Sequence, residues 1–162
     1  MKDHAMSAIN DHAAHTAQAL AAVLADTFRL YMKVHGFHWN VSGPRFRVLH
    51  QMFEEQYNEL WQALDPIAER IRALGQMAPG SLADMAALGT LPETKGVPGA
   101  RAMMQAVLDG HLAVAAGAKA ALSIAERAAD PATADLLTQR IASHEKTAWM
   151  LRAMLSEEAP AS

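Results

Sequence analysis

The sequence predicts an all-α fold, a four-helix bundle in a single domain. Three observations carry that expectation. Apolar residues recur at steps of three and four along four long stretches, and no stretch offers a strand. Composition agrees: 51% of residues are hydrophobic, only 6% aromatic, and alanine is abundant beside ten methionines, which suits long, closely packed helices. At 162 residues, one domain is long enough to bury a substantial core.

The first apolar stripe contains Leu20, Leu24, Phe28, Tyr31, Met32, His35, His38 and Trp39, and predicts a helix from about Ala13 to about Asn40. "NVSGPRF" breaks it: Gly43 and Pro44 suit a turn better than a helix interior, and Ser42 is a candidate cap or turn residue. A second helix is expected from about Phe46 to Leu74, through Leu49, Met52, Phe53, Tyr57, Leu60, Leu64, Ile67 and Ile71. Pro66 interrupts it, yet the periodicity resumes on both sides, so one long helix with a bend at the proline is expected, ended by Gly75.

Residues 76–99 form a connection too long to lack structure in a compact domain. Within it "SLADMAAL" predicts a short helix capped by Ser81, followed by the Gly- and Pro-rich "GTLPETKGVPG". A third long helix is expected over about Ala100 to Ala129. A turn follows, with Pro131 near the first turn of a fourth helix over about Ala132 to Ser156. The bundle is thus expected over residues 13–158, between a flexible polar segment at 1–12 and a short tail at 159–162. The long middle connection favours a crossover topology.

With 14 basic and 17 acidic residues the net charge is -3, which supplies no global attraction to nucleic acid or to an anionic membrane. The absence of cysteine rules out disulfides, thiolate metal sites and thiol nucleophiles. The opening "MKDHAMSAINDHAAH" does not resemble a signal peptide, and no continuous run of about 18 apolar, uncharged residues is present. The expected location is cytoplasmic, with the nucleoid as its alternative.

Five residues suggest chemistry: His38, His50, Glu54, Asp65 and Glu69. His50 and Glu54 stand at i,i+4 on the second helix and share one face, as do Asp65 and Glu69 further along. Imidazole and carboxylate together form a nitrogen and oxygen set suited to iron, manganese or zinc. Glu54 and Asp65 are separated along the helix by roughly 16 Å at 1.5 Å per residue, so the two pairs cannot grip one metal within a straight helix. Either the pairs are unrelated, or an antiparallel copy from a second chain brings them together at a two-fold interface. Plainer readings stand beside these. A histidine on an apolar face is commonly a hydrogen-bonded core residue, Asp65 suits a cap or turn before Pro66, Glu69 and Arg70 suit a solvated pair, and Trp39 and Trp61 suit packing.

The stretch "FHWNVSGPRFRVLHQMFEEQYNELWQALDPIAERIRALG", Phe37 to Gly75, resembles the signature region of the Dps family, the bacterial mini-ferritins. "HEKTAWMLRAML", His144 to Leu155, resembles the family's final-helix pattern. The resemblance spans nearly the whole chain. It implies a ferritin-like four-helix bundle with a short extra helix between the second and third helices, assembled as a hollow homo-dodecamer. It also implies ferroxidase chemistry: Fe(II) oxidised, preferentially by hydrogen peroxide, at di-iron sites between subunits, with ferric mineral stored inside.

By that resemblance the ligands are His38, His50 and Glu54 from one chain, with Asp65 and Glu69 from its partner. Glu54 departs from the aspartate common in the family. Trp39, beside the site, is a candidate to intercept stray oxidising equivalents. The acidic entry channels of the family are matched by Glu126, Asp130 and Asp135 near the turn between the last two helices, where a helix-capping role for an aspartate is the alternative. DNA binding, the property in the family's name, is the other function to weigh. Residues 1–15 carry one lysine against two aspartates, with His4, His12 and His15, and "SEEAPAS" is acidic. Binding is therefore expected to be weak or absent at neutral pH, with acid charging of those histidines as the route to it. The same three histidines are also candidates for an accessory metal site.

Overall fold

A computed structural model describes the backbone of residues 2–156 and the side chains of residues 11–156. Five helices and no strand make up the described chain: α1 (Lys2–Asn40), α2 (Phe46–Ala73), α3 (Leu82–Leu88), α4 (Ala100–Arg127) and α5 (Pro131–Ser156). The four long helices form the expected bundle, with α3 in the connection between its second and third members. α1 begins at Lys2 instead of near Ala13; its first nine side chains, His4 among them, and the tail expected at 159–162 lie outside the described residues.

The helix ends follow from local chemistry. Ser81 caps α3 in a capping box: its hydroxyl accepts from the Asp84 N–H at 3.1 Å, and the Asp84 carboxylate accepts from the Ser81 N–H at 3.1 Å. Ser42 does not cap α2. Arg45 holds that position without a side-chain cap, and Ser42 lies in the loop. α2 ends in a Schellman turn, with Gly75 at φ 81°, its N–H donating to Arg72 O, and the Gln76 N–H donating to Ile71 O. α4 ends in the same turn, but the left-handed residue is Ala129 at φ 51°. Pro66 leaves α2 unbroken; Gln62, whose carbonyl loses its helical partner there, is exposed and open to water.

Two apolar clusters fill the bundle. At one end Leu30, Phe37, Leu49, Phe53, Met104 and Leu151 pack together; at the other, Leu20, Leu24, Ile67, Ile71, Ala125 and Leu137. α1 and α4 approach closely where Gly110 meets Leu30, since a Cβ at Gly110 would lie 2.5 Å from Leu30 Cδ1. α4 reaches the length and mean hydropathy of a membrane span, although no such segment is expected from the sequence; its apolar side, from Met103 through Val107 and Val114 to Ala125, is buried among the other helices. The middle connection is held against α1. The Asp26 carboxylate accepts from Thr90 N–H at 2.6 Å, Thr90 O–H at 2.8 Å and Leu91 N–H at 2.8 Å, and Lys33 Nζ donates to Pro92 O at 2.8 Å.

Candidate metal centre

The end of α1 and the start of α2 lie side by side because Phe37 and Val41 on one arm of this helical hairpin and Leu49 and Phe53 on the other enter the same core cluster. That packing sets His38 against His50. His38 Nδ1 donates to the His50 carbonyl at 2.8 Å, and His50 Nδ1 donates to the His38 carbonyl at 2.8 Å. The rings stack with centroids 3.7 Å apart and planes 20° from parallel. A carbonyl oxygen only accepts, so each Nδ1 must carry a proton, and each neutral ring then keeps its lone pair on Nε2. This is how a metal-binding histidine is held in one tautomer and orientation. The His38 carbonyl sits in the last turn of α1, where carbonyls lack helical partners, so the bond from His50 also serves the helix end.

A second ring layer backs the pair. His35 stacks on Tyr57 at 3.8 Å and 16°, hydrogen-bonds the Tyr31 hydroxyl at 3.1 Å through Nδ1, and lies 4.4 Å from the Trp39 ring. Tyr57 presents its edge to His38, with centroids 5.1 Å apart. Burial, and after it the nearby His38, hold the His35 imidazole below its ordinary pKa. His35 therefore packs against its neighbours, one layer behind the candidate ligands.

Glu54 is exposed one turn beyond His50. Asp65 and Glu69 are exposed on the far half of α2, and among the described residues no three His, Asp or Glu side chains of this chain converge on one point. The plainer readings of these acids do not match the fold. Asp65 lies inside α2 and so caps nothing, and the Arg70 guanidinium turns to Asp130 and Thr133, both at 2.8 Å, instead of to Glu69. Trp39 and Trp61 are not core residues either, with exposures of 60% and 57%; with Met32 and Phe46 they leave large apolar side chains exposed on α1 and α2.

The entry-channel candidates separate into two kinds. Glu126 and Asp135 are exposed. Asp130 is the N-cap of α5: its carboxylate accepts from the Thr133 N–H at 3.1 Å and pairs with Arg70 at 2.8 Å. Although burial opposes ionisation, the bonds from Thr133 and Arg70 hold its carboxyl below the usual range. His12 and His15 are exposed on α1.

Sequence reasoning missed one group of residues. A polar cluster crosses the bundle between the apolar ends: Glu59 pairs through both carboxylate oxygens with Arg140 and accepts from the Ser143 hydroxyl at 2.8 Å, Arg140 Nη2 lies 3.2 Å from His144 Nε2, and His144 Nδ1 lies 2.9 Å from His111 Nδ1. The signal for it was present on α5, where Arg140 and His144 fall on the same stripe as Leu137, Ala148 and Leu151. Burial drives the His111 imidazole down to about 4 and that of His144 to about 2, with Arg140 pushing both the same way and Glu59 partly opposing it at His111.

Long helices joined as two hairpins, with a crossover connection between them, define a ferritin-like protein. The ferritin-like domain profile matches residues 17–159. The chain is 38% identical over 143 residues to the DNA protection during starvation protein of Brevibacillus brevis, covering 85% of this chain and 96% of the relative. Among solved structures it resembles the Dps protein of Bacillus brevis (36% identity, 90% and 97% coverage, TM-score 0.87). It also resembles that of Vibrio cholerae O1, described as a member of the ferritin-like diiron-carboxylate superfamily (32%, 90% and 92%, TM-score 0.87). The chain belongs to the Dps family.

Proposed function

We propose that this protein is a ferroxidase and iron store, oxidising Fe(II), preferentially with hydrogen peroxide, at sites shared between two-fold-related subunits of a hollow dodecamer. The observation that carries the proposal is the reciprocal histidine lock, which commits both Nδ1 atoms to backbone carbonyls and so holds each neutral ring in the tautomer whose lone pair is on Nε2, while among the described residues no carboxylate cluster of the same chain completes a site. An antiparallel second α2 would bring Asp65 and Glu69 to His38, His50 and Glu54. The exposed Trp39, Trp61, Met32 and Phe46 are the apolar surface such pairing would cover. Two adjacent ferrous ions supply both electrons that peroxide takes on reduction to the level of water, which avoids one-electron release of hydroxyl radical. In this reading Trp39, whose ring lies against His35, would absorb an oxidising equivalent that escapes. Removing Fe(II) and peroxide together protects DNA without binding it, which accommodates the relative's name.

Anaerobic addition of Fe(II) followed by peroxide, with absorbance and protein-bound iron both followed, tests the activity. Oxidation no faster than in buffer, with no iron retained, would refute it. Mixing variants tests the shared site. His50→Ala and Asp65→Ala should each be inactive alone. Co-assembled at equal amounts, half the pairs are mixed and each mixed pair keeps one intact site, so about a quarter of wild-type sites should return. If all ligands acted within one subunit, mixing would restore nothing.

A further inference from the structure

We infer that the centre of the bundle holds an ordered water molecule, bound between His111, Gln56 and Arg140, at the end of a chain of hydrogen bonds that starts at Glu59. The chain is fixed by counting protons. Arg140 has only N–H donors, so His144 Nε2, 3.2 Å from Arg140 Nη2, must be the acceptor. The proton of a neutral His144 is then on Nδ1, which donates across 2.9 Å to His111 Nδ1. His111 must therefore carry its own proton on Nε2. That N–H is buried without a protein partner, as are Gln56 Oε1 and Arg140 Nε.

These unpartnered atoms are one acceptor and two donors, the complement of a single water, which accepts twice and donates to the amide. All three residues are at least nine-tenths buried, at 2%, 8% and 8% exposure, on α4, α2 and α5. Register places them at one level. Phe53 and Leu151 share one apolar cluster while Ile67 and Leu137 share the other, so α2 and α5 run antiparallel. Gln56 lies one turn before Glu59, and His144 one turn after Arg140. The Glu59–Arg140 pair thus sets Gln56 level with His144 and with His111 beyond it. Buried waters occupy such positions, with about three polar partners each.

A crystal structure of the assembled, full-length protein at a resolution that shows ordered solvent should place one water within about 3.2 Å of His111 Nε2 and Gln56 Oε1. A direct bond between those two atoms, or a dry gap, would overturn the inference. Gln56→Met should expel the water and lower the thermal midpoint by about 3 °C or more, because two N–H groups lose their acceptor; an unchanged or higher midpoint would count against it. Nitrogen-15 spectra of histidine-labelled protein give a reading that needs no variant: neutral His144 protonated on Nδ1 and neutral His111 on Nε2. Finding the two rings in the same tautomer would sink the proton count.

Discussion

Lowering the pH from 7 to 5 should weaken the folded protein by an amount that traces largely to two buried histidines. In the unfolded chain His111 and His144 titrate near the ordinary value of about 6.5. In the bundle, burial holds His111 at about 4 and His144 at about 2. Between those limits the unfolded state binds protons that the folded state refuses. Stability from the pair is therefore complete above about 6.5 and declines as the pH falls toward the folded values. Worked to pH 5, the loss is roughly 2 kcal/mol per histidine and ~4 kcal/mol for the pair. The charged groups facing them, Arg140 and Glu59, keep their charge across this window, since a free carboxylate titrates near 4. Chemical denaturation at pH 7, 6 and 5 and fixed protein concentration measures the effect, compared with a His111→Leu, His144→Met variant. That variant loses an acceptor for Arg140 and is less stable throughout, so the informative quantity is the change with pH. His35 is present in both proteins and cancels. Equal pH dependence in the two proteins would refute the reasoning.

Other outcomes follow from single residues. Ala129 occupies the left-handed position that Gly75 fills at the end of α2, so Ala129→Gly should raise the unfolding free energy by about 0.5–1 kcal/mol, read as a higher thermal midpoint. Asp130→Ala removes a helix cap and the partner of Arg70, and should cost about 2–3 kcal/mol in denaturant unfolding. Its stabilising charge is present above about pH 3.8 and is lost as acid protonates it, so the penalty of the substitution should shrink at low pH. Gel retardation should show no DNA binding at neutral pH and moderate salt, with any binding appearing below about pH 6 and disappearing in a His4, His12, His15→Gln variant.

The fold was legible because apolar residues recur at helical spacing along each long helix, and because the breaks are chemical: Gly43 with Pro44, Gly75, the Ser81 cap and Pro131 at a first turn. Boundaries were less so. Nothing in "MKDHAMSAIND" forbids a helix, and a polar composition alone could not place the start of α1. Ser42 has the chemistry of a cap, yet Phe46 begins its helix four residues beyond it, and the loop geometry decides. At the candidate site, spacing singled out the residues and showed that the two pairs of α2 cannot grip one metal within a straight helix. It could not show that His38 and His50 bond to each other's carbonyls, because that depends on two helices meeting at one depth. The interior cluster was missed for a related reason. Glu59, His111, Arg140 and His144 come from three helices, and no local pattern announces a contact between α4 and α5.

The two histidine pairs divide the chemistry of one side chain between them. At the hairpin of α1 and α2, both rings give their Nδ1 protons to backbone carbonyls, so each neutral ring keeps a lone pair on Nε2 and neither donates to the other. In the core, His144 gives its proton to His111 and accepts from Arg140, so the lone pairs are consumed within the chain and a single N–H is left over. The first arrangement has acceptor capacity in excess, as a cation requires; the second has a donor in excess, as a water or amide oxygen requires. Substituting His111 or His144 should therefore change stability and its pH dependence while leaving the proposed iron oxidation per folded subunit intact. Substituting His38 or His50 should do the reverse, beyond the loss of one carbonyl bond. If the core variants abolished oxidation in an assembled and stable protein, the separation of roles argued from these hydrogen bonds would be wrong.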